Sequence, residues 1–270
     1  MEATDKVFAG SIPEIYERFL VPLLFETYAL DLAHRLAKND PKDILETAAG
    51  TGVLSRAVAS RVPANARIVA TDLNQSMLDH AGTRFSHKDR VEWRQADALA
   101  LPFSDQVFDV VACQFGVMFF PDKVQGFRET LRVLRPGGHF FFNVWDRISE
   151  NEFADVVTEE LAMLFPNDPP RFMARTPHGY HGVEQIRQEL KAAGFGNVSS
   201  ESIDRKSKAS SPRDVAIAYC QGTPLRNEIV TRDASRLEEA TQRAAEALAH
   251  RFGSGAIEGR IRALVITAAR

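Results

Sequence analysis

Apolar positions recur along this chain in two periods, and the change between them marks the elements. From Ser11 to Lys38, Ile15, Phe19, Leu23, Leu24, Tyr28 and Leu32 recur at helical spacing. Pro22 interrupts that run, which predicts two helices joined near Val21, the second ended by Asn39-Asp40-Pro41. Between Asp43 and Asp146 short apolar runs alternate with amphipathic stretches. Strands are predicted over Asp43–Ala48, Arg67–Thr71, Val91–Gln95, Val107–Gln114 and Gly138–Trp145, and helices over Val53–Val62, Gln75–Phe85 and Lys123–Leu134. Pro136-Gly137-Gly138 reads as a tight turn before the fifth strand. Strands alternating with helices imply a parallel sheet covered on both faces.

Beyond Asp146 the pattern changes. Phe153, Val156, Val157, Leu161 and Leu164 predict an amphipathic helix, followed by the Pro-rich stretch Pro166–Tyr180, an insertion outside the sheet. Glu184–Ala193 reads as a helix stopped by Gly194. Val198–Ile203 and Ile261–Thr267 read as strands, with a long helix through Leu237, Ala240, Ala244 and Leu248. The expected organisation is one domain over 1–270: N-terminal helices as a lid over 1–40, a core over 43–146, a helical cap insertion after the fifth strand over 147–182, and the remainder of a seven-stranded, mostly parallel sheet over 183–270.

Composition narrows the function classes. The 270 residues are 44% hydrophobic and 26% charged, ordinary for a globular protein with a sizeable core. The net charge of −3 gives no basic excess for a phosphate backbone, so no nucleic acid is expected as partner. No apolar run approaches the ~20 residues of a membrane span. Met1–Gly10 is polar and mixed in charge, unlike a signal peptide, so a cytoplasmic location is expected by default. The two cysteines, Cys113 and Cys220, form no metal-binding pattern, and no metal is expected; Cys113 lies in an apolar run and reads as an inert buried thiol.

The chemistry concentrates at strand ends. Ile44-Leu45-Glu46-Thr47-Ala48-Ala49-Gly50-Thr51-Gly52 delivers an apolar strand into a glycine-containing turn and then a helix. Such turns let the backbone approach a ligand, and ligands of open parallel sheets sit at the carboxyl ends of the strands. Asp72 ends the second strand twenty residues past Gly52, suited to accept hydrogen bonds from both hydroxyls of a ribose. Cofactors built on NAD and on S-adenosyl-L-methionine (SAM) share that need. The dinucleotide fingerprint Gly-x-Gly-x-x-Gly or Ala is matched imperfectly, because Ser55 holds the third position. Glu46, before the turn, has no use in a dinucleotide site but suits the ammonium group of SAM. Asp97, after the third strand, can accept from an adenine amine, or simply cap its loop.

Ile44–Gly52 resembles the first SAM-binding motif of the ubiquinone/menaquinone-biosynthesis C-methyltransferase-like family (methyltransferase type 11), which tolerates alanine at the place of Ala48. Ala70–Leu78 is similar to its ribose motif and Ala96–Phe103 to its adenine loop. Phe108–Val111 and Leu131–Gly138 resemble its fourth strand and the turn before its fifth. The likeness covers about Asp43–Asp146. It implies a Rossmann-like α/β fold, SAM as cofactor with S-adenosyl-L-homocysteine as product, and methyl transfer as activity. It further implies that Glu46 orients the methionine amino group, that Thr47, Ala48, Gly50 and Gly52 line the methionine part, and that Asp72 holds the ribose. Leu73 and Met77 would pack on sugar and adenine, Asp97 and Ala98 would meet the adenine, Gln114 and Phe115 would face cofactor and acceptor, and Tyr16 would close over the carboxylate.

Methyl transfer from a sulfonium is an in-line displacement in which alignment supplies much of the rate, roughly 7–11 kcal/mol. A general base is required only for a protonated acceptor, so no catalytic residue follows from the motifs. His178 and His181 are the candidates, although ordinary loop histidines fit the same pattern; Arg171 and Arg175 could bind an acidic acceptor or lie solvated at the surface. The apolar run Phe115–Phe120 favours an aromatic or apolar small-molecule acceptor, in a pocket expected between Ile12–Tyr28, Phe115–Phe120 and Phe153–Tyr180. Gln114-Phe115-Gly116-Val117 lacks the Pro-Pro-aromatic signature of enzymes acting on nucleobase amines, and two cysteines are too few for arsenite. Two other readings stay open: a non-catalytic SAM-binding regulator or partner subunit, and an NAD(P)-dependent oxidoreductase. A homodimer is compatible with all three.

Overall fold

The central strands are apolar along their whole length because both of their faces are covered. Ile44, Leu45, Ile68, Val69, Ala70, Val110, Val111, Phe140 and Phe142 are all buried. The computed structural model describes Asp5, residues 12–84 and residues 90–270; Ser11 and Phe85, the outer ends of two expected helical stretches, lie outside them. The strands are β1 (Asp43–Glu46), β2 (Arg67–Asp72), β3 (Val91–Gln95), β4 (Phe108–Gln114), β5 (Leu134–Trp145), β6 (Asn197–Ala209) and β7 (Ile257–Ala269). They form one sheet in the order β3-β2-β1-β4-β5-β7-β6. The pairs β1–β2, β1–β4, β2–β3 and β4–β5 are parallel. β7 runs against β5: Arg270 donates to the Gly138 carbonyl (3.0 Å) near one end, and Asp146 to the Arg262 carbonyl (3.1 Å) at the other.

Two compact units divide the chain. The larger holds residues 26–144, 181–203 and 264–270; the other holds Asp5 and residues 12–25, 145–180 and 204–263. In the larger unit the strand order reverses between β1 and β4, so a crevice opens outside their carboxyl ends. Register brings the strand tips level there. Glu46 pairs with Ala70 on one side and Ala112 on the other, Asp72 with Gln95, and Gln114 with Asn143.

Four expectations are corrected. Pro22 does not split two helices: a helical turn over Ile12–Ile15 passes into a π-helix over Tyr16–Phe25, with Pro22 inside it, and then into an α-helix over Glu26–Ala37. The wider turn accommodates a residue that lacks an N–H and clashes with the carbonyl of the preceding turn. Pro136-Gly137-Gly138 is not a turn ahead of the fifth strand but lies within β5, where the register jumps between Phe108↔Leu134 and Val110↔His139. The extra residues bulge out of the ladder, and Gly137 takes the positive φ of 78° that such a bulge requires. The stretch 183–270 is less of the sheet than expected, since it also holds helices over Pro212–Gln221 and Leu225–Asp233. Their short apolar content gave no clear period. Finally, β6 and β7 are far longer than the runs Val198–Ile203 and Ile261–Thr267. Their added residues alternate exposed and buried positions with polar side chains, as strands with one wet face do.

Candidate cofactor site

β1 ends in a fully buried carboxyl. Glu46 is 3% exposed, and among the described residues its side chain accepts one hydrogen bond, from the Ser55 hydroxyl to Oε2. Burial pushes its carboxyl up to about 8; the Ser55 bond opposes the rise, Asp72 adds to it by repulsion, and Arg56 opposes it. The chain then turns sharply. Ala48 and Gly50 have φ of 52° and 57°, and Gly52 has 79° at the start of the helix Val53–Ala59. Thr47 holds the turn to β4 by donating to the Ala112 carbonyl (2.9 Å).

Asp72 closes the next strand. Its Oδ2 accepts from the Gly50 N–H (2.8 Å) and its Oδ1 from the Asn74 N–H (2.8 Å). Burial raises its pKa, and these backbone donors work against the rise. Met77 is buried below Gly50: a Cβ added at Gly50 would lie 3.6 Å from Met77 Cε. Leu73, by contrast, is 45% exposed, an apolar side chain turned to solvent beside the Asp72 carboxylate. Asp97 is exposed and its Oδ1 accepts from the Leu99 N–H (2.9 Å), which is the loop cap that the sequence also allowed; Ala98 beside it is half-buried.

Gln114 ends β4 and Phe115 follows it, both buried. Phe115 has a φ of 52°, unusual for an aromatic residue, and its ring meets Tyr28 edge-on at 5.5 Å. Asn143 on β5 holds this backbone: its Oδ1 accepts from the Phe115 N–H (3.0 Å), as does its own carbonyl (3.1 Å). Sequence reasoning missed Asn143. The available signal was an asparagine inside Phe140-Phe141-Phe142-Asn143-Val144, because a fully buried amide on a central strand must have a hydrogen-bonding task. Gly116 allows the strand tips to touch. A Cβ there would stand 2.4 Å from Ala48 Cβ and 2.7 Å from Cys113 Sγ.

Glu46, Thr47, Ala48, Gly50, Gly52, Asp72, Leu73, Met77, Asp97, Ala98, Gln114 and Phe115 thus belong to one unit and cluster at the tips of β1 to β4 and the turns that follow them. His181 is half-buried in the same unit. Tyr16 and His178 belong to the other. There Tyr16 stacks on Phe25 (5.1 Å). His178 is buried, 6.1 Å from the Trp145 ring, and its Nδ1 lies 2.9 Å from the Asp146 carbonyl. A carbonyl can only accept, so Nδ1 carries the proton. Arg175 is no receptor for an acidic acceptor: it is consumed by Asp5 and Glu228, each at 2.6 Å, and Thr176 also donates to Asp5.

Comparison with known proteins fits this geometry. A family model described as a methyltransferase domain matches residues 44–138. A ubiquinone/menaquinone biosynthesis C-methyltransferase of Ectopseudomonas mendocina is 32% identical over 207 residues, 72% of this chain and 76% of the relative. The chain belongs to the class I SAM-dependent methyltransferases. A demethylmenaquinone methyltransferase of Clavibacter sepedonicus is 31% identical over 169 residues, 59% of this methyltransferase and 68% of the relative. A phosphoethanolamine N-methyltransferase of Haemonchus contortus shares the fold, with a TM-score of 0.60 at 16% identity over 98% of this chain and 59% of its own. SAM is accordingly the cofactor of this enzyme. The donor set fits it, since among the described residues the buried Glu46 carboxyl has no cation at hydrogen-bond distance, which suits an ammonium group. Among the described residues no group of side chains suits a metal ion, and no helix is long and apolar enough to cross a membrane.

Proposed function

We propose that this methyltransferase acts on a small aromatic or apolar acceptor bearing ring oxygens, of the quinol kind, and methylates it at carbon. The likeness to C-methyltransferases of quinone biosynthesis over 76% of a relative's length carries this reading. The mostly apolar tip of β4 and the helical turn after it, Phe115, Val117, Met118 and Phe120, all buried, support it.

SAM, when bound, supplies an electrophilic methyl group on a sulfonium. The chain's own residues then have three tasks. Glu46 receives the ammonium group of the methionine part, with the backbone of Gly50 and Gly52 alongside. Asp72 accepts from the ribose hydroxyls through the lone pairs that Gly50 and Asn74 leave over, while Leu73 and Met77 offer apolar surface to sugar and adenine. Asp97 and Ala98 lie at the adenine edge. Gln114 and Phe115, fixed by Asn143, set the wall against which the acceptor is aligned. Alignment and exclusion of water are the main contributions the enzyme has to make. A quinol carbon becomes nucleophilic once its ring hydroxyl loses a proton. His181, in the same unit as the cofactor site, is the histidine considered for that proton, with His178 of the other unit the second candidate of the sequence.

The test supplies reduced ring acceptors (hydroquinones and phenols) with methyl-labelled SAM and reads the product by mass spectrometry. Label on ring carbon supports the reading. Label on oxygen or nitrogen replaces it, and SAM binding without turnover on any acceptor favours a regulatory role.

A further inference from the structure

Ser55 occupies the place where a dinucleotide-binding turn carries its third glycine, and it is not there for packing alone. The side chain is fully buried in the first turn of the helix Val53–Ala59. A hydroxyl in such a layer is unfavourable unless it is hydrogen-bonded. Its partner is Oε2 of Glu46, nine residues earlier at the end of β1. Oε1 of Glu46 accepts no hydrogen bond from the described residues, so one carboxyl oxygen is held and the other remains for a ligand.

We propose that Ser55 is a positioning residue for the methyl donor, its hydroxyl holding the Glu46 carboxyl in the rotamer and the charge state that receive the donor's ammonium group. This rests on the role assigned to Glu46 above. The groups facing Glu46 explain why a hydroxyl is used. Asp72 on β2 repels its charge, and Cys113 on β4 is itself affected by it; among the described residues Arg56, on the same helix as Ser55, is the cation acting on it. A further cation in direct contact would compensate the carboxylate but would compete with the incoming ammonium. A neutral donor favours the carboxylate and leaves its charge for the ligand.

The experiment titrates the full chain with S-adenosylhomocysteine by calorimetry at several pH values. A second probe, 5′-methylthioadenosine, shares the nucleoside but lacks the amino acid. Ser55→Ala is expected to weaken S-adenosylhomocysteine about tenfold near neutral pH and 5′-methylthioadenosine by less than about twofold, tenfold being ~1.4 kcal/mol, close to the lower end for one hydrogen bond to a charged group. The pH at which affinity for the amino-acid ligand climbs should move upward, and Ser55→Thr should restore both readings. Ser55→Gly serves as a second hydroxyl-free variant should Ser55→Ala fold poorly. Equal weakening of both probes means Ser55 is only structural and overturns the inference. Unchanged affinity in Ser55→Ala, with Glu46→Gln still weakened, also overturns it while sparing the role of Glu46. If Glu46→Gln binds like the parent protein, the role of Glu46 falls and this inference with it.

Discussion

The Gly50 N–H donates to Asp72 Oδ2 across 2.8 Å, tying the turn after β1 to the tip of β2. The tips of β1 and β2 are therefore held in register with each other. A carboxylate that accepts from backbone amides cannot swing away from the crevice, and in the role proposed for it what it offers to ribose is a fixed set of remaining lone pairs.

Asp72→Ala should abolish this registration and the ribose contact together. The expected loss is at least about 100-fold in affinity for SAM and S-adenosylhomocysteine, from two hydrogen bonds to a charged group at ~1.5–3 kcal/mol each. Calorimetry against the parent protein measures it. NAD(P)H serves as control, and a response to it in the absence of SAM binding would return the site to the dinucleotide reading.

Glu46→Gln should separate stability from binding. In the unfolded chain this carboxyl titrates near 4.5, whereas in the fold it is pushed up to about 8. Between those values the unfolded state holds fewer protons, so the site's contribution to stability falls as pH rises from about 4.5 to about 8. The glutamine variant escapes that loss. Its melting temperature should exceed the parent's by more at pH 8 than at pH 5, while its affinity for SAM is lower. The parent's affinity should climb with pH between about 6 and 7.5, until the ligand's own amine begins to lose its proton near 8. Melting curves at the two pH values decide; equal differences at both would show that Glu46 is not protonated in the unliganded fold.

Gly116→Ala should be disruptive despite its size. The new methyl would stand 2.4 Å from Ala48 Cβ and 2.7 Å from Cys113 Sγ, neither of which is the end of a flexible side chain. Forcing β4 away from the first turn should cost about 1–3 kcal/mol, in the range of an overpacked core, and weaken SAM binding as well. Urea unfolding measures the first effect and calorimetry the second.

Both thiols should be inert in the native protein. Cys113 and Cys220 are completely buried, and burial pushes each up to about 12. An aromatic disulfide reagent should find no reactive thiol in the folded chain and both after denaturation. Rapid reaction of either in the native state would show that the core around it opens.

The two scales of pattern in this chain were legible to different degrees. β1 to β4 could be read with their limits nearly right, because each is a short apolar run bounded by turn residues, and Glu46, Gly50, Gly52 and Asp72 stand at strand ends by spacing alone. Such local signals need no knowledge of what packs against them. The helices over Pro212–Gln221 and Leu225–Asp233, and the outer halves of β6 and β7, could not be read. Their residues take up these states only because neighbouring elements cover one side of them.

The same division holds at the site. The sequence by itself determined the α/β class, the order of the cofactor motifs and the identity of the acids, since motif spacing along a strand–turn–helix unit is a one-dimensional property. Only the tertiary structure decided that Ser55 bonds Glu46, that Asn143 holds Phe115, that Gly116 lets Ala48 approach β4, and that Arg175 is already consumed by Asp5 and Glu228. The last three join residues from 28 to 170 positions apart, and even Ser55 and Glu46 meet only once a helix is folded back onto its strand. Which oxygen is occupied, which cation is spent and which glycine is irreplaceable are properties of packed neighbours, and no periodicity along the chain encodes them.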